Sequence, residues 1–144
     1  MMEPCGRDRR GCLRKSSIMP IPARWSAPLL SVFRAVFGLV FLSHGVSKFF
    51  ALPPFPMPLN PLLTAAGVLE LVGGALLLIG LFTRPVAFIL SGQMAVAYFM
   101  AHAPQGFLPL ANGGEAAILY CFAFLYLAAA GGGSIGVDAM RRGS

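Results

Sequence analysis

Seven side chains able to carry a charge, a proton or a directed hydrogen bond stand in or beside apolar stretches of this sequence: Arg34, His44, Lys48, Glu70, Gln93, His102 and Glu115. A carboxylate can accept hydrogen bonds and exchange a proton, and histidine and lysine can donate hydrogen bonds. Ionisable groups within a membrane segment are functional candidates by default, because hydrocarbon holds them at a cost. Together they suit a polar pocket for a quinone headgroup, a proton or a small anion. The structural alternative is an internal ion pair, Lys48 with Glu70 or with Glu115, that fixes helix register. Gln93 is suited to a hydrogen bond across a helix bundle.

The elements that must hold these groups follow from length and spacing. Residues 29–50 make a run of 22, enough to cross hydrocarbon about 30 Å thick at about 1.5 Å per residue. Its 13 Leu, Val and Phe residues favour insertion by roughly 4 to 8 kcal/mol, against about 2.5 to 3.5 kcal/mol for one Arg or Lys at mid-depth. Arg34 and Lys48 lie near the ends, where snorkelling lowers that cost. Arg34, Gly38, Phe41, Gly45 and Lys48 step by four and three and share one face, which should turn to other helices. In the second run Gly67, Glu70, Gly73, Gly74 and Leu77 mark the corresponding face.

Composition agrees with a membrane domain. The 144 residues are 57% hydrophobic and 11% charged, with a mean hydropathy of +0.76, far too apolar for an ordinary soluble domain. The formal charge of +6 does not indicate nucleic acid, because Arg7, Arg9, Arg10, Arg14, Lys15 and Arg24 all precede the first span and orient it. Cys5, Cys12 and Cys121 lack C-x-x-C, haem-attachment or zinc spacing, so free thiols and no metal site are expected.

The predicted organisation is all-α: a basic flexible tail over 1–27, a membrane domain over 28–133 with spans near 29–50, 62–82, 85–102 and 113–130, and a short cytoplasmic tail over 134–144. Prolines break the 51–61 loop, Thr83, Arg84 and Pro85 make a tight turn, and the glycines at 131–133 stop the last helix with no helix after them. Met19, followed by a short lead, is an alternative start to Met1. The apolar run is too long for a secretory signal. Cations gather in the tail, at Arg84 and at Arg141 and Arg142, so the positive-inside rule predicts an antiparallel four-helix transmembrane bundle with both termini cytoplasmic. That arrangement brings His44, Lys48, Glu70, His102 and Glu115 into the outer half, with Arg34 and Arg84 on the inner side. Two histidines at similar depth also fit axial haem ligands, but a helical histidine more often packs, and haem is not expected.

The order R-x3-G-x2-F-x2-H-G-x2-K at 34–48, E-x2-G-G-x5-G-x2-T-R at 70–84, H-x3-G-F at 102–107 and N-G-G-E at 112–115 resembles the DoxX family of small four-helix membrane proteins. The closing GGGSIGVD is similar to that family's glycine-rich end, without its usual proline and aromatic. The resemblance implies a bacterial plasma (inner) membrane protein tied to quinone, thiol or oxidative-stress chemistry. It also implies a quinone-like ligand near His44, Lys48, Glu70, His102 and Glu115. Expected partners are the lipid bilayer and either a companion redox subunit or a second copy of the chain. The competing class is a proton or anion carrier built from the same groups.

Overall fold

The computed structural model describes residues 21–142, and within them all regular structure is helical. The expectations for Cys5, Cys12, Met19 and most of the basic tail lie outside the described residues. After a 3-10 turn at Ala23–Trp25, α1 (Ser26–Phe50) runs unbroken until Ala51 adopts a positive φ of 54°. The proline-rich loop then leads to α2 (Pro61–Ile79). Asn60 starts it, its side-chain oxygen accepting from the Leu63 N–H at 2.8 Å, and Pro61 fills a first position that needs no N–H.

Boundaries move from the expected ones for local reasons. The second helix ends at Ile79, short of 82, because Gly80 turns left-handed at φ 73° and its N–H returns to Leu76 and Leu77 carbonyls. The third, α3 (Thr83–Ala97), starts two residues before Pro85 and continues through a π-helical turn at Tyr98–His102 and a 3-10 turn at Ala103–Gln105. Residues 103–112, expected as plain loop, contain that turn and a single helical turn, α4 (Pro109–Asn112). The next helix, α5 (Glu115–Ala130), has 16 residues, about 24 Å at 1.5 Å each. Gly131 stops it as expected, but the chain folds back and forms α6 (Val137–Arg142), which the sequence reading did not anticipate.

By length and apolarity three helical stretches suffice to cross a membrane: Ala23–Phe50, Pro61–Ile79 and Thr83–Gln105, with Glu115–Ala130 a shorter apolar helix. The helices pack mainly as α1 on α2 and α3 on α5, joined by a lighter α2–α3 contact. Gly38 lies against Gly74 and Leu78, and Gly45 against Leu71, so contacts run in opposite senses along α1 and α2. Across α3 and α5 the Ser91 hydroxyl donates to the Cys121 carbonyl at 2.8 Å, and Arg84 reaches Ala128. Between α1 and α5 the rings of Phe33, Phe37 and Phe41 meet Tyr126, Tyr120 and Phe124. The buried core is Phe41, Leu77, Ala87, Leu90, Phe124 and Leu127.

Candidate functional site: a buried ion pair between the first two helices

Lys48 is in the last turn of α1 and Glu70 is on the buried face of α2. Contacts of opposite sense along the two helices bring them together, and Lys48 Nζ binds both carboxylate oxygens. Their side chains are only 9% and 4% exposed. Gly67 makes room for the lysine stem, since a β-carbon there would stand 3.3 Å from Lys48 Cδ. The loop covers the pair from above: Phe55 places its ring 5.5 Å from Nζ, within range of a cation–π contact. The Ser47 hydroxyl anchors that loop, donating to the Pro53 carbonyl at 2.7 Å.

Gln93, from α3, completes the group. Its Nε2 donates to Glu70 Oε1 and to the Ala66 carbonyl, both at 3.3 Å. Because both neighbours accept, the amide nitrogen is fixed on that side. Its Oε1 is buried without a hydrogen-bond partner. The site therefore holds one cation, one carboxylate sharing donors from two helices, and one unused acceptor.

The other candidates occupy different contacts. His44 is exposed one turn before Lys48, its Nδ1 2.8 Å from the Val40 carbonyl and its ring 5.9 Å from Tyr120. A carbonyl only accepts, so Nδ1 carries the proton and, in the neutral ring, Nε2 is an acceptor. His102 stacks on Tyr98 and places Nδ1 3.0 Å from the Asn112 carbonyl. Glu115 is exposed in the first turn of α5, where the helix dipole favours its charge. Of the groups expected in the outer half, Lys48 and Glu70 meet each other, and Glu70 meets Gln93, whereas His44 and His102 make other contacts and Glu115 is exposed.

Arg34 belongs to a separate cluster at the opposite end. It is 4% exposed, and its Nη1 donates to the Gly132 carbonyl at 3.1 Å. Ser31, one turn before it, accepts from the Ile135 N–H at 2.9 Å, so α1 holds the segment after α5 in two places. Arg84 binds the last carbonyls of α5, at Ala128 and Ala129, where a cation offsets the helix dipole.

Asp138 and Asn112 hold structure although neither is among the expected site residues. Asp138 carboxylate oxygens accept from the Phe82 and Thr83 N–H groups at 3.0 and 2.8 Å, capping α3 from 55 and more residues away. Its interaction with Arg34 is attractive. A single acid following a glycine run in a basic tail was the available signal. Asp138→Ala should lower the melting temperature in detergent, at a cost of about 0.5–2 kcal/mol, with Asp138→Asn costing less. Asn112, buried at 6%, accepts from Gly114 N–H and donates to the Gly106 carbonyl, both at 2.8 Å. The Asn-Gly pair in the sequence marks that turn.

Comparison with known proteins places the chain. The DoxX family model matches residues 29–103, which contain Lys48, Glu70, Gln93 and Arg34. A protein of Haemophilus influenzae, described only as uncharacterized, is 46% identical over 120 residues, covering 76% of this chain and 87% of the relative. No solved structure matches significantly. Helices apolar enough to cross a membrane, a match over residues 29–103 and close similarity along most of a second protein agree: the chain is a membrane protein of the DoxX family.

Proposed function

We propose that this chain is the membrane subunit of a redox system linked to quinones, thiols or oxidative stress. In this reading Lys48, Glu70 and Gln93 form the polar centre that handles a quinone-like ligand and its proton. The observation that carries it is the buried Lys48–Glu70 pair with its unused neighbour, Gln93 Oε1. Desolvating two ions costs several kcal/mol each, and apolar side chains of similar volume are often as stable or more so. Stability alone is thus a weak reason for such a pair, and Glu70 supplies the titratable group that proton exchange needs. Gln93 Oε1 fits a ligand hydroxyl, since it accepts and has no donor among the described residues. Lys48 would hold negative charge developing on a ligand oxygen, and Glu70 would take or return the proton.

The same reading takes the fold as four antiparallel spans in a bacterial plasma membrane with both termini cytoplasmic. Supporting it, Arg34, Arg84 and Asp138 gather at the end where α5 stops, whereas Lys48 lies by the proline-rich loop.

The test is gentle purification from native membrane, with identification of co-purifying proteins and extractable quinone, followed by quinone reduction with the companion subunit present. Glu70→Gln should lower that rate by roughly 100-fold, the scale of a lost general acid–base group. Proton flux in liposomes that needs no partner and falls in Glu70→Gln would instead make the chain a carrier.

A further inference from the structure

At the end opposite the ion pair, a cavity of about 390 Å³ opens between the start of α3 and the segment after α5, lined among others by Phe82, Thr83, Arg84, Gly132, Asp138 and Arg141. Thr83 is 1% exposed, yet its Oγ1 has no hydrogen-bond partner among the described residues. Arg34 Nε, also buried, lacks one as well. The two residues share a wall: a β-carbon on Gly132 would stand 2.8 Å from Thr83 Oγ1 and 3.0 Å from Arg34 Nη1. Leaving hydrogen-bond donors unpaired in a buried place costs about 1–3 kcal/mol each. At the cavity, a group that only accepts would satisfy Thr83 Oγ1.

Charge points the same way. The described charged groups lining the cavity are Arg84 and Arg141 against Asp138, whose carboxylate is already committed to the Phe82 and Thr83 N–H groups. Arg84 uses Nε and Nη2 on α5 carbonyls. Arg141 lies over the Phe82 ring at 5.9 Å. We infer that this cavity binds the phosphate of an anionic phospholipid, with Arg84 and Arg141 as its arms and Thr83 Oγ1 as the buried donor. Arginine matches phosphate geometry, and basic pockets at helix ends are suited to lipid headgroups. Thr83 opens a helix long and apolar enough to cross the bilayer, which sets the cavity at headgroup depth. Phe82 and Phe88, 55% and 65% exposed, offer the acyl chains a surface that a free phosphate ion would leave bare. The inference is independent of the redox reading.

The test is thermal unfolding and native mass spectrometry of the full chain in detergent with phosphatidylglycerol, phosphatidylcholine or inorganic phosphate. Phosphatidylglycerol should bind and raise the melting temperature while phosphatidylcholine does not. Arg141→Gln should weaken that binding roughly fivefold, the equivalent of about one arginine contact. Thr83→Val should keep or raise the lipid-free melting temperature, since it removes a buried hydroxyl without a partner among the described residues, but lose most of the preference for the anionic lipid. Equal response to both lipids, or an undiminished preference in both variants, overturns the inference. A full response to inorganic phosphate alone assigns the site to a soluble ion and overturns the lipid.

Discussion

Glu70→Leu alone should lower the stability of the detergent-solubilised protein by about 3–5 kcal/mol, and adding Lys48→Met should recover most of that loss. The asymmetry follows from burial. With Glu70 gone, Lys48 Nζ is left beneath the Phe55 ring, its side chain 9% exposed, without the carboxylate it binds. Removing both charges leaves two apolar side chains in the same space, and the desolvation cost disappears with the attraction. Gln93 is the remaining loss in the double variant, because Nε2 would keep only the Ala66 carbonyl. A double-mutant cycle measured by thermal unfolding reads the coupling directly. Single-variant losses that simply add would show that the two residues do not act as a pair. The doubly substituted protein also separates the roles: if it is folded yet inactive in the quinone-reduction assay proposed above, the charges serve chemistry and not register.

Which parts of this were legible from sequence depends on the physics behind each. The buried face of α2, Gly67, Glu70, Gly73, Gly74 and Leu77, is the one that spacing singled out, and on α1 Arg34, Gly38, Phe41 and Gly45 are likewise buried. Small and charged residues in an apolar helix have one stable orientation, away from lipid, so periodicity is enough to find them. Depth is a weaker guide. Equal height along antiparallel helices placed His44, His102 and Glu115 near Lys48, but height does not fix the direction in which each side chain points. His102 is drawn to Asn112 and Tyr98 instead, in a π-helical turn whose wider winding leaves no mark in the sequence. The fold-back after α5 was least legible, because Arg34 to Gly132 and Ser31 to Ile135 span 98 and 104 residues and no local pattern encodes them.

Gly74→Val should cost about 3 kcal/mol or more and should also break the Lys48–Glu70 pair, although it touches neither residue. A β-carbon at Gly74 would stand 2.6 Å from Leu42 N and 2.7 Å from Leu42 Cα, and at Gly45 it would stand 2.6 Å from Leu71 N. These neighbours are backbone atoms of the facing helix, so no rotamer change relieves the overlap, and α1 must move away from α2. Lys48 and Glu70 meet across that same interface, and separating the helices takes the lysine from its carboxylate. Gly92→Ala supplies the contrast, because a β-carbon there meets nothing within 4 Å. Alanine is the better helix former by about 0.8–1 kcal/mol, so this change should leave the melting temperature unchanged or raise it. Melting temperatures of the two variants distinguish glycine needed for close approach from glycine merely tolerated. Equal tolerance at both positions would mean that the α1–α2 spacing is soft, and a soft interface does not hold two buried ions in register.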